Sequence, residues 1–130
     1  MTTTIVWNYP ALDVLLKSRG GAVGRDLERR ALKVKVAAQA QVGVKTGALK
    51  ASIHLEHNRT AYGQQMLVGS DLNYAYMHHE GTRPHVILPS PGKTLRFRGR
   101  GGAIVHTERV DHPGTRANRY LSNNLYLAIT

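Results

Sequence analysis

The sequence predicts an α+β fold, with a long N-terminal helix and a C-terminal helix packed on a small, mostly antiparallel β-sheet that carries an extended hairpin loop. Three observations carry this reading. Val23, Leu27, Ala31, Val34, Ala38 and Val42 recur at steps of three or four, the period of an amphipathic helix. Ser52–His57 and Gln65–Ser70 alternate, as half-buried strands do. Gly99-Arg100-Gly101-Gly102 separates two further strand-like runs with glycines where a tight turn needs positive φ.

In chain order, Trp7-Asn8-Tyr9-Pro10 reads as an aromatic turn. It precedes a short apolar segment in which Val14, Leu15 and Leu16 pack on the core or on a neighbouring subunit. Gly20-Gly21 breaks that segment, so residues 1–21 form an N-terminal arm and 22–130 a single α+β domain. The helix over 22–41 carries Arg25, Asp26, Arg29, Lys33 and Lys35 off its apolar stripe, and Gly43 stops it. Its alanines favour close approach to another element. Thr46-Gly47-Ala48-Leu49 leads into one helical turn. Asn58–Gly63 connects the two alternating strands. Asp71-Leu72-Asn73 caps a short helix over Tyr74–Glu80 that ends at Gly81. Residues 83–94, with Pro84, Pro89 and Gly92, form an extended loop. Thr94–Arg98 and Ala103–Val110 form a hairpin, Asp111–Thr115 a corner, and Arg116–Ile129 a closing helix with Ala117, Tyr120, Leu121, Leu125 and Ala128 on one side.

Composition narrows the function. A chain of 130 residues supports one modest core, and 42% hydrophobic residues suit a folded chain. The absence of cysteine excludes disulfides, thiolate metal sites and cysteine nucleophiles. Met1-Thr2-Thr3-Thr4 has no charged start, so no signal peptide is expected. No run approaches the roughly 18 apolar residues that span a bilayer, so no membrane partner is expected. The formal charge of +10 is unevenly spread: +6 over residues 1–50, −2 over 51–82 and +6 over 83–130. Such a surface suits nucleic acid or an acidic protein face, and alternating sign suits subunits that meet head to tail.

Catalytic signals are weak. His78, His79, Glu80, His85, His106 and His112 are metal-ligand types. Adjacent His78 and His79 diverge by about 100° on a helix, however, and no HExxH spacing is present. Ser52, Ser70, Ser90 and Ser122 sit in no nucleophile elbow, and Gly99–Gly102 lacks the strand-to-helix context of a phosphate loop. The chain is therefore read as a non-enzyme with no catalytic residue, metal or cofactor; a small metal-dependent hydrolase is the remote rival. His85 and His112, each beside a proline, are expected to hydrogen-bond their own loops. Lys93, Arg96, Arg98 and Arg100 with Phe97 make a basic hairpin, on which Arg96, Arg98 and Arg100 share one side of a strand. They are candidates to face DNA or an acidic partner.

The ordered set of short motifs is the most informative feature. Lys45-Thr46-Gly47-Ala48-Leu49-Lys50-Ala51-Ser52-Ile53 is followed by Asn73-Tyr74-Ala75, Met77-His78-His79-Glu80-Gly81-Thr82, Arg83-Pro84-His85, Pro89, a hairpin and His112-Pro113-Gly114-Thr115. Over roughly residues 22–125 this resembles the tail-component family of long-tailed bacteriophages. The resemblance implies a structural virion protein of the neck, a ring-forming head–tail connector or tail-completion component. Six copies would match the tail, with twelve, matching the portal, as the rival. It implies a virion location after assembly in the host cytoplasm. The implied partners are neighbouring neck proteins (a head-side stopper or adaptor ring and a tail terminator) and genomic DNA in the channel. Tyr74, Tyr76, Met77, Arg83, Pro84, His85, His112 and Pro113 are the candidate subunit-interface residues, with at least one of Tyr74, Tyr76 and Met77 expected in the core. The alternative is a basic nucleic-acid-binding protein.

Overall fold

The computed structural model describes residues 1–130, and the chain is an α+β protein. It divides into two compact units: Met1–Ala75 with Arg119–Thr130, and Tyr76–Asn118. No helix is long and apolar enough to cross a membrane.

The first unit begins with α1, Tyr9–Lys17. Its start is set by Asn8, whose side chain accepts from the Ala11 N–H at 3.1 Å, and by Pro10 in the first turn. Lys17 closes its last turn on Asp13 at 2.9 Å. A helix thus occupies much of the segment read as an arm. The long helix α2, Ala22–Gln41, buries Gly24, Ala31, Val34 and Ala38. The apolar stripe holds from Ala31 to Val42, while Val23 at its start is 39% exposed.

After a left-handed Gly47 (φ 82°), α3 spans Ala48–Ser52. The strands β1, His54–Thr60, and β2, Gly63–Gly69, then form an antiparallel pair with Leu55 opposite Val68 and His57 opposite Met66. Ser52 Oγ lies 2.6 Å from Ser70 Oγ and donates to the Leu49 carbonyl, tying α3 to the end of β2. The core comprises Ala38, Val42, Leu49, Ile53, Ala75 and Tyr120, flanked by Val68, Leu72 and Leu121. Tyr120, 1% exposed, is its largest side chain, and burial raises its phenol pKa.

The C-terminal helix is shorter than the pattern over 116–129 suggests. It is a 3₁₀ helix, Ser122–Ile129. The cause is local: the Asn124 side chain donates to the Tyr120 carbonyl at 2.7 Å, the acceptor that an α-helical Asn124 N–H would use. The backbone N–H turns instead to Leu121 at 3.1 Å. Asn124 also donates to Gln41 at 2.8 Å, and Arg30 donates to the Ala128 carbonyl at 2.9 Å, which fastens this helix along α2.

The helix α4, Ala75–Glu80, belongs to the second unit from Tyr76 on. That unit holds two small ribbons: β3, His85–Ile87, with β6, Val110–His112; and β4, Leu95–Arg98, with β5, Ile104–Thr107. The sheet is therefore three separate antiparallel pairs. Two expectations change. The 83–94 segment contains a strand, and the first residues of the 111–115 corner belong to its partner. The hairpin turn forms as expected, with Gly102 at φ 82° and its N–H donating to the Gly99 carbonyl at 3.0 Å.

Candidate assembly surface and basic hairpin

The Arg-Pro-His and His-Pro-Gly corners lie far apart in sequence but side by side in space. His85 pairs with His112 across the β3–β6 ladder, and their rings stack with centroids 5.0 Å apart. His85 Nδ1 lies 2.8 Å from the Arg83 carbonyl, and His112 Nδ1 accepts from the Gly114 N–H at 3.0 Å. Each imidazole is thus used to shape its own proline corner. Beside them Thr82 and Thr115 exchange two backbone hydrogen bonds of 3.0 Å, and their hydroxyls meet at 3.0 Å. Gly81 and Gly114, at φ 76° and 86°, make this closure possible. A Cβ on Gly114 would lie 2.3 Å from the Thr82 carbonyl oxygen. The Thr82–Thr115 pairing was not legible in the motifs, although both threonines stand in them.

The other interface candidates are placed at the surface. Tyr74, Tyr76 and Met77 are 43%, 74% and 56% exposed, so none is a core residue. Ala75 takes the buried position instead, within the cluster of Ile53 and Tyr120. Arg83, Pro84 and Pro113 are also exposed.

On the hairpin, Arg96 and Arg98 share one strand face, opposite His106 and Ile104. Leu95 and Phe97 occupy the other face, with Ile87 and Val110 around the same hollow. Arg100 lies in the turn beyond the strand, so the expected three-residue comb is two arginines on β4 and a third at the tip. Lys93 sits just after a turn, its N–H bonded to the Ser90 carbonyl at 3.0 Å. None of these four cations forms an ion pair, whereas Arg109 is held by Asp111 at 2.8 Å. The histidines and carboxylates nowhere gather in threes around one point.

The surface carries many large hydrophobic side chains. Only eight hydrophobic residues are buried, and none lies within 76–118. Large side chains exposed on the first unit include Val14, Leu15, Leu16 and Val36, and on the second Val86, Leu88 and Ile104. Residues outside the named interface candidates contribute: Ile5, Val6 and Trp7 before α1, and Leu125, Tyr126 and Ile129 near the C-terminal end. In comparisons with family models, curated proteins and solved structures, the chain matches none.

Proposed function

We propose that this chain is a structural virion protein of the phage neck, a ring-forming head–tail connector or tail-completion component that joins the DNA-filled head to the tail. The observation that supports the reading is the number of large hydrophobic side chains left exposed in a chain with so small a core. Exposed patches on this scale mark protein interfaces. A heterologous contact, in which one patch meets a different patch on the next copy, gives a ring when its rotation closes. The resemblance of the ordered motifs to tail components supplies the location and the copy number, six with twelve as the rival. The rigid His85/His112 corner fixes its shape before docking and so lowers the ordering cost of assembly. Its neighbours are neck proteins above and below, and genomic DNA in the channel beside the basic hairpin.

Native mass spectrometry of the purified protein and electron cryomicroscopy of virion necks test this directly. The expected result is a six- or twelve-fold ring at the head–tail junction. Absence of the protein from virions would sink it.

The unpaired cations at Lys93, Arg96, Arg98 and Arg100 favour one second reading, a basic nucleic-acid-binding protein. A monomer that binds DNA at low salt and releases it at high salt, in a protein missing from virions, is the outcome that selects it.

A further inference from the structure

The strand β2 pairs with β1 alone, so its other edge carries backbone groups without a ladder partner. Along that edge runs an open apolar groove of about 330 Å³ between α2, β2 and the terminal 3₁₀ helix. Leu27 and Val34 form one wall, Leu121 and Leu125 another. Three consecutive residues of β2, Met66, Leu67 and Val68, all touch it. Successive strand side chains point to opposite faces, so a groove lined by all three follows the strand edge. The one charged residue at its border, Arg30, is already held by Asp26 at 2.7 Å and by the Ala128 carbonyl.

The same chain carries a segment that fits it. Thr2-Thr3-Thr4-Ile5-Val6-Trp7 is a run of strand-forming residues with no charged side chain, and it pairs with no strand. Ile5, Val6 and Trp7 are 74%, 87% and 62% exposed, so the arm does not fill the groove of its own chain. We infer that the arm Thr2–Trp7 of one copy adds as a strand to the free edge of β2 in a second copy, with Ile5 and Trp7 entering the groove. Backbone hydrogen bonds supply the affinity in such strand addition, and alternate side chains in the groove supply the selectivity. Arm and groove are different patches of one chain, so the contact is heterologous and passes from copy to copy. The eight residues before α1 reach up to about 28 Å when extended.

Three forms of the full chain test this: the unaltered protein, Ile5→Asp in the arm and Leu125→Asp in the groove. Leu125 is 63% exposed, so an aspartate there leaves the fold intact. The unaltered chain should self-associate in light scattering, and each variant alone should lose at least tenfold in association. Mixed together, the two variants should form a one-to-one complex through the one intact arm and the one intact groove. Trp7, the only tryptophan, should shift its emission to the blue on association, and the amides of Thr4–Trp7 should gain protection from exchange. Should either variant fold poorly, Ile5→Cys mixed with Leu125→Cys gives a direct reading, because the chain has no other cysteine to cross-link. A monomeric unaltered protein, self-association indifferent to both variants, or a mixture that neither pairs nor cross-links would overturn the inference. A neck ring with Trp7 still in water would remove the arm and leave the neck reading standing. Arm exchange in a protein absent from virions would do the reverse.

Discussion

His85 and His112 stand directly opposite each other on β3 and β6, their rings 5.0 Å apart and inclined by 29°. The partners fix their tautomers. The Arg83 carbonyl can only accept, so His85 carries its proton on Nδ1. The Gly114 N–H can only donate, so His112 leaves Nδ1 bare. His112→Ala removes both the stack and an acceptor. The expected loss is about 1–2 kcal/mol, confined to the β3–β6 ribbon. Amide exchange at Ile87 and Val110 should quicken roughly tenfold or more, on the usual conversion of free energy to equilibrium, while α2 is unchanged. His112→Asn, which restores an acceptor for Gly114, should recover part of the protection. Equal acceleration throughout the chain would contradict a local role.

Gly114 tests the same closure from the backbone. Gly114→Ala places a methyl 2.3 Å from the Thr82 carbonyl oxygen in a left-handed conformation. The conformation alone costs about 1–2 kcal/mol, before any clash. The Thr82 and Thr115 amides should lose protection while the amides of α2 keep theirs.

Gly24 marks a close backbone crossing at the start of α2. A Cβ there would lie 2.3 Å from the Arg19 carbonyl oxygen and 2.5 Å from that of Ser18. Both are backbone atoms, so the connection from α1 must move. Gly24→Ala should therefore destabilise the chain despite alanine's better helix propensity. A rise in melting temperature would contradict the crossing.

The pH response on the acid side follows from the first turns of α2. Hydrogen bonds from Arg29, then Arg30, hold the Asp26 carboxyl below its ordinary range, and Arg19 does the same for Glu28. Lowered folded-state values mean stability that is present at neutral pH and lost as pH falls through those values. The groups face solvent, so salt should shrink the effect. Thermal melts from pH 7 to pH 3 at low and high salt measure it, and Asp26→Asn should flatten the low-salt slope. At the alkaline end the sign reverses for Tyr120. Its raised phenol value keeps the folded form favoured below the unfolded tyrosine value near 10, and that stability declines as pH rises beyond it. Tyr120→Ala should cost about 3–5 kcal/mol in urea unfolding, as for other large buried aromatics.

The hairpin cations separate the two readings of the basic surface. If Arg96 and Arg98 meet phosphate, Arg96→Gln with Arg98→Gln should weaken DNA binding uniformly across sequences and lower the salt slope by about one per contact. An unchanged slope, with weaker association of copies, would assign them to an acidic protein face.

The helix α2 was legible in the sequence because its apolar residues repeat at the helical period over five turns, and Ala31, Val34, Ala38 and Val42 are buried as that period requires. The β1–β2 and β4–β5 hairpins were legible as pairs of sequence neighbours, although β1 runs on to Thr60 through residues read as a turn and only Ala61 and Tyr62 separate it from β2. The glycines and prolines of the two corners marked where the chain must bend. Tertiary structure decided the rest. A three-residue strand such as Val110–His112 has too few positions to show a period, and its partner lies 25 residues earlier. Only cross-strand pairing and the imidazole stack make it a strand. The terminal segment has helical spacing, but the Asn124 side chain takes the Tyr120 carbonyl and tightens it to a 3₁₀ helix. Which of Tyr74, Ala75, Tyr76 and Met77 turns inward also depended on the room left beside Tyr120 and Ile53, and that room admits a methyl group. Local pattern determines where elements form; the space between distant elements determines which faces remain bare, and those bare faces are what the candidate interfaces consist of.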